Sequence, residues 1–355
     1  MRLIINVHVN IIKVIRMDKE KTLAERCRNL ITELGLGTAE DIRSITPLTG
    51  GVSSDIAVVN LGSNKVCVKF ALPKLKVAEE WHAKVERNLA EYRWLDFVST
   101  ISPRSTPKLL GISERVHGFA MEFVEGDDTY LWKQALLDGL PDNEEARKVG
   151  RVLGNIHRSS TTQIDLKNQF QNQEDFFALR IEPYLVHTAA QHREIARDFE
   201  SLVRSLSVHE HTLVHGDVSP KNIIFRKSKP LFLDAECATI GDPCFDISFC
   251  LNHLVLKAVH LPPSRELLLR SVNVFWSAYR DHVSWESSTA LEERVCKLLP
   301  ALMLARIDGK SPVEYLHKDN RLLVKTLSIE LIKSPPGSLS DLTDRVHHYL
   351  KKKNQ

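Results

Sequence analysis

The chain has 355 residues, 43% hydrophobic and 26% charged, with a net charge of +3. That is enough apolar material for a globular core, and too little charge to support binding to nucleic acid or a membrane surface. Its six cysteines include no C-x-x-C pair. Buried thiols in a reducing compartment are therefore expected, with the cytoplasm as default, in place of disulfides or a zinc framework.

Single cores stop growing near roughly 250–300 residues, so two lobes are expected. Leu3 to Ile15 is apolar but broken by Asn6, His8, Asn10 and Lys13, too short and too polar to span a membrane. Residues 1–16 read as an optional extension before a start at Met17. An amphipathic helix follows, with Asp18 as cap, Leu23, Cys27, Leu30, Ile31 and Leu34 on one face, and Gly35 and Gly37 as its stop. Ile42–Leu48, Asp55–Leu61 and Lys65–Leu72 read as strands, the last two joined by Gly62-Ser63-Asn64. A charged helix over Lys76–Val98 and two more strands, Lys108–Ile112 and Phe119–Val124, complete a five-stranded α+β lobe. Beyond Gly126 the pattern is helical: Glu144–His157, Glu174–Val186, Arg193–Leu206, Leu267–Val283, Glu292–Leu304 and Lys325–Ile332. Only Ile223–Phe225 and Leu231–Leu233 interrupt it as short strands. The predicted division is an N-terminal extension and helix over 1–40, a β lobe over 41–125, and a helical lobe over 126–355.

Leu213 to Asn222 reads LVHGDVSPKN and runs into Ile223-Ile224-Phe225. An H-x-D-x-x-x-x-N loop brings a carboxylate and a carboxamide to one place, the pair that phosphoryl transfer needs for the attacking hydroxyl and for magnesium. Asp217 is the expected base and Asn222 a metal ligand. Downstream, Pro230-Leu231-Phe232-Leu233 ends in Asp234-Ala235-Glu236, a strand delivering a second hard oxygen ligand at Asp234. Glu236, two residues on, reads either as a further ligand or as a structural anion. Asp246 is expected to bond backbone amides under the loop.

Between the first two strands, Gly50, Gly51, Ser53 and Ser54 offer backbone and hydroxyl donors for phosphate. Lys69 stands mid-strand among apolar neighbours, a costly place unless it is paired. Glu91 is the expected partner, with Glu86 as fallback. Glu122 and Val124, in Met121–Gly126, are the expected backbone contacts for adenine at a hinge near Glu125-Gly126.

Together these residues resemble the aminoglycoside phosphotransferase/choline kinase-like family, over roughly Ile42 to Leu316. The resemblance implies a bilobal protein-kinase-like fold and an enzyme that uses ATP and Mg2+ to phosphorylate a hydroxyl of a small molecule. It assigns catalysis to Asp217, Lys69 and Glu91, and metal binding to Asn222 and Asp234. Asp234-Ala235-Glu236 is similar to the pattern of methylthioribose kinases, and Gly216 stands where protein kinases have an arginine.

For the acceptor, Gly241–Gln355 holds thirteen acidic and sixteen basic residues, no acidic excess for a cationic sugar or amino alcohol. Arg306 and Asp308, in Leu304–Pro312, are the candidate acceptor contacts, Arg306 by a fork that suits planar anions. A metal site at His209, His211 and His215 competes with the use of His215 in the loop. A nucleotide-binding pseudokinase scaffold and a protein kinase are the alternatives to a metabolite kinase.

Overall fold

A computed structural model describes residues 23–48, 53–74 and 84–353. The expected extension, the Asp18 cap, and Gly50 and Gly51 lie outside the described residues.

The chain divides into two compact units, one ending in Tyr92 and taking in Pro107–Val124, the other made of Arg93–Thr106 and residues from Glu125 on. The first unit contains helix α1 (23–33) and strands β1 (Ser44–Leu48), β2 (Ser54–Asn60) and β3 (Lys65–Ala71). Helix α2 (Arg87–Ile101) follows, then β4 (Leu109–Ser113) and β5 (Gly118–Glu122). The five strands pair antiparallel in the order β1-β2-β3-β5-β4. Strand periodicity sends Val66, Val68 and Phe70 to one face. There they join Ala57, Val59 and Ala120 in a core with Leu23, Cys27, Leu30 and Ile31 of α1. Cys67 and Lys69 alternate to the other face and are buried as well. A mid-sheet lysine is thus enclosed by construction.

The second unit is mainly helical. After β6 (Thr129–Leu131) come α3 (Asn143–Ser160), a wide π-helical stretch Phe177–Val186, and α4 (Ala196–Val208). The short strands β7 (Thr212–Val214), β8 (Ile223–Arg226), β9 (Lys229–Phe232) and β10 (Thr239–Gly241) precede α5 (Cys244–His260). Then follow α6 (Arg265–Arg280), α7 (Ser288–Asp308), α8 (Lys318–Lys333) and α9 (Leu339–Lys353). The fold is therefore α+β, a five-stranded antiparallel sheet with α1 in one unit and helices dominating the other.

Two helices escape the sequence pattern. In α5 every residue from Cys244 to Val259 is buried, so the helix has no polar face and no amphipathic period to detect. Helix α9 carries a real apolar stripe of Leu339, Leu342, Val346 and Leu350 and ends in Lys351–Lys353, suited to a helix C-terminus. No described helix is long and apolar enough to cross a membrane. All six cysteines are free and buried.

Candidate active site

In the first unit the side chain of Lys69 reaches Glu91 at 2.6 Å, with both groups almost wholly enclosed. Helix α2 places the glutamate. Arg87, one turn before it, is 1% exposed and donates to the carbonyls of Ser53 and Leu72 at 2.5 and 2.8 Å. Asn88 donates to the His117 carbonyl at 2.9 Å and to that of Lys69 at 3.4 Å. One helix face therefore grips the end of β3, the start of β2 and the turn before β5. Neither Arg87 nor Asn88 stood out in the sequence, because their partners are backbone carbonyls without side-chain identity. Ser53 and Ser54 are buried at the entry to β2. The Glu122 N–H donates to the Lys108 carbonyl at 2.9 Å, which removes that group from nucleotide contact. Among the described residues, the Val124 backbone makes no hydrogen bond.

In the second unit the loop after β7 is built from its backbone outward. Asp246, at the start of α5, accepts the N–H of His215 at 2.6 Å and that of Gly216 at 2.8 Å. His157 of α3 adds a contact to Asp246 at 3.2 Å and receives the Tyr279 hydroxyl at 2.7 Å. Gly216 has φ +80, and a Cβ there would stand 2.8 Å from the Cys237 Cβ. That geometry admits glycine and rejects the arginine of protein kinases. His215 Nδ1 accepts the Asp217 N–H at 3.1 Å while Nε2 donates to the Leu233 carbonyl at 3.0 Å. Burial holds the ring below its ordinary pKa against the pull of Asp246 and Asp217, so the neutral tautomer with Nε2–H fits both bonds.

Asp217 is 4% exposed. Its Oδ2 lies 3.0 Å from Arg180 and 3.3 Å from Lys221, whereas its Oδ1 is buried with no hydrogen-bond partner among the described residues. Burial works against the charge, but Lys221 and Arg180 outweigh it and hold the carboxyl below its ordinary pKa. Arg180 also donates to the Gly216 carbonyl at 2.5 Å, so one buried guanidinium fixes both the backbone and the side chain of the loop. Arg180 was not among the expected site residues: in the sequence it is one of two charges, with Glu182, in the otherwise apolar stretch Phe176–Val186, 37 residues before its partner.

Asn222 donates its amide to the Asp217 carbonyl at 3.1 Å, which leaves the carboxamide oxygen as the side chain's acceptor. The Leu233 N–H donates to the Asn222 carbonyl at 2.9 Å, which ties the segment bearing Asp234 to the one bearing Asn222. Asp234 has φ +69, a conformation that non-glycine residues adopt at a cost of order 1–3 kcal/mol. Glu236 is buried, and its charge acts on Arg180.

Arg306 contacts the Tyr184 hydroxyl at 3.2 Å and Ser311 Oγ at 2.8 Å. Asp308 turns elsewhere, to His192 at 2.8 Å and Lys325 at 2.9 Å. The structure does not bring these two acceptor candidates together. His209 stands beside His211, whereas His215 is committed to the loop. Among the described residues no His/Cys/Asp/Glu group of three is arranged to hold a metal ion.

Comparison with known proteins places the chain in a family. Two methylthioribose kinases of Bacillus cereus, strains AH187 and Q1, are each 25% identical to the chain over 256 residues. The chain spans 62% of the length of these curated relatives, and the match covers 62% of the chain. The fold is similar to that of an amicoumacin kinase solved with AMP-PNP, Ca2+ and Ami. The TM-score is 0.57 at 14% identity, with 86% of this chain and 92% of that one covered. A choline/ethanolamine kinase family protein from Mesorhizobium loti gives a TM-score of 0.52 at 13% identity, over 88% and 94% of the two chains. The ethanolamine kinase of Plasmodium vivax gives 0.52 at 14% identity, over 87% and 88%. The model of the APH phosphotransferase enzyme family matches residues 44–264. That span contains Lys69, Glu91, Asp217, Asn222 and Asp234, and the chain belongs to this family.

Proposed function

We propose that the protein is a small-molecule kinase that transfers a phosphoryl group from ATP to a hydroxyl. The observation that carries this reading is Asp217, a buried carboxylate with one oxygen held by two cations and the other without a partner. Such an oxygen is placed to accept a hydrogen bond from an incoming hydroxyl. With its pKa held low, Asp217 chiefly orients that hydroxyl and takes its proton as the bond to phosphorus forms. The related proteins point the same way, since they are named as kinases of methylthioribose, ethanolamine and amicoumacin.

Asn222 and Asp234 fit magnesium. Both present oxygen, the donor this ion selects, and the ion usually takes one or two carboxylates with phosphate and water completing its octahedron. The backbone bond from Leu233 to Asn222 ties the two segments that bear these donors together. When bound, the ion neutralises charge on the phosphates. Lys69, held by Glu91, is suited to contact phosphate oxygens, with Ser53 and Ser54 as further donors. Glu236 serves better as the buried counter-charge near Arg180 than as a third ligand.

The reading is tested by incubating a pooled metabolite library with Mg-ATP and following products by mass. A species heavier by one phosphate with wild type and absent with Asp217→Asn supports it. Nucleotide binding without product from any acceptor favours the scaffold alternative.

A further inference from the structure

Helix α5 leaves the catalytic loop with Asp246 bound to it and carries Phe249, His253 and Lys257 at four-residue spacing, one row on one face. Lys257 is 1% exposed and His253 7%. Among the described residues no carboxylate lies within ion-pair distance of Lys257, and the contact of its ammonium is the Tyr315 ring, 5.0 Å away. Arg306 lies over the Tyr184 ring, and that ring in turn packs edge-on against Phe249. The Arg306 Nε and the Tyr315 hydroxyl are both buried without a hydrogen-bond partner among the described residues. Lys133 and Lys221 add to the positive field at His253. The nearby anion, Glu314, is taken by Lys133. Lys221, whose charge acts on His253, stands 3.3 Å from Asp217, so the row lies within reach of that carboxylate's field.

We propose that the acceptor hydroxyl is carried on an anion, a carboxylate or a phosphate, which Lys257, Arg306 and His253 receive beside Asp217. The inference rests on the kinase reading above and narrows it to an acceptor class. A buried lysine whose one nearby opposing charge, Glu314, is already paired with Lys133 is destabilising unless something more negative arrives. Burial, together with Lys133 and Arg306, already lowers the Lys257 pKa to about 7, and a bound anion would restore its full charge. A cationic amino alcohol or aminoglycoside would meet repulsion on the same surface. Arg306 supplies a planar fork and Tyr315 a hydroxyl donor, both matched to carboxylate or phosphate oxygens.

The test is a melting-temperature titration of wild type, Lys257→Met and Arg306→Gln with Mg2+ and a non-hydrolysable ATP analogue. The probes are alcohols of one skeleton in different charge states: glycerate and longer hydroxy acids, glycerol 3-phosphate and sugar phosphates, neutral polyols, and amino alcohols. At least one anionic probe is expected to bind wild type tenfold or more tightly than its neutral twin. That preference should collapse in both variants. Whether hydroxy acids or phosphates respond identifies the anion. Neutral or cationic probes binding as well, no anion binding, or a preference surviving both substitutions would overturn the inference. A missing shift with the nucleotide itself would sink the kinase reading instead. Lys257→Met should melt higher than wild type without ligand, because a buried unpaired charge is gone; a variant that misfolds would melt lower and answer to nothing, and Arg306→Gln then carries the test.

Discussion

The loop around Asp217 and the helix beneath it are equally buried and draw on the same residue types, yet they treat their polar atoms in opposite ways. At the start of α5, Asp246 has both oxygens occupied, by two backbone N–H groups and His157. In the loop, Asp217 spends one oxygen on Arg180 and Lys221 and keeps the other unpartnered. Burying a polar atom without a partner costs about 1–3 kcal/mol. A fold that saturates Asp246 and leaves Asp217 open, a few residues' reach apart, is bearing that cost at the position where a substrate hydroxyl can relieve it. At Asp246 the saturated carboxylate shapes the loop, and at Asp217 the open oxygen fits the proposed chemistry.

The sharpest way to break this comparison is to neutralise each carboxylate in turn. Asp217→Asn should lower turnover by about 10²–10⁴ and cost some melting temperature at neutral pH, because the charge facing Arg180 and Lys221 is lost, while the variant still folds. Asp246→Ala should do the reverse in kind, costing about 3–5 kcal/mol of stability by denaturant unfolding, because it strands two buried N–H groups. Where it still folds, activity falls with the loop.

A smaller effect is expected at Gly150. In α3 a Cβ there would stand 2.4 Å from the Phe275 carbonyl oxygen, so Gly150→Ala should destabilise by about 1–3 kcal/mol and leave the rate per folded molecule unchanged. Kinetic and unfolding measurements on one preparation check this.

Arg180→Met sharpens the contrast from the other side. The cations hold the Asp217 carboxyl below its ordinary pKa. With one removed, that pKa rises and the acid limb of the kcat profile moves to higher pH. A fall in kcat of about tenfold should accompany the shift, the lower end of what positioning groups supply. The same sign holds for stability. The lowered pKa contributes stability that is full above the unfolded value near pH 4 and is lost as pH falls through the native value. Wild type should therefore lose more stability between neutral and acid pH than Asp217→Asn does, measurable as the difference between their melting curves against pH.

What could be read without the structure follows the same division. The strands of the first unit lie within a residue or two of their expected bounds, because alternation and turn residues are local signals. The loop from His215 to Asn222 was legible because its chemistry is contiguous. Lys69 pointed to Glu91 by its need for a counter-charge, and the two form the ion pair. Arg180 was not legible, since 37 residues separate it from Asp217 and only the wide π-helical stretch turns it inward. Helix α5 was hidden by its complete burial. The three-residue strands β7 and β10 pair across 25 residues and are too short to show a period. The row of Phe249, His253 and Lys257 on α5 was invisible for the same reason as the helix that carries it.

The most direct test of the central claim is a paired measurement on Asp217→Asn: phosphate transfer from Mg-ATP to the accepted alcohol, and melting temperature, each against wild type. Transfer should fall at least about 100-fold while the variant stays folded at the assay temperature, its melting temperature lowered only by the lost charge facing Arg180 and Lys221. A variant that keeps its transfer rate, or that loses transfer only because it unfolds, would contradict the assignment of Asp217 as the open carboxylate on which the chemistry depends.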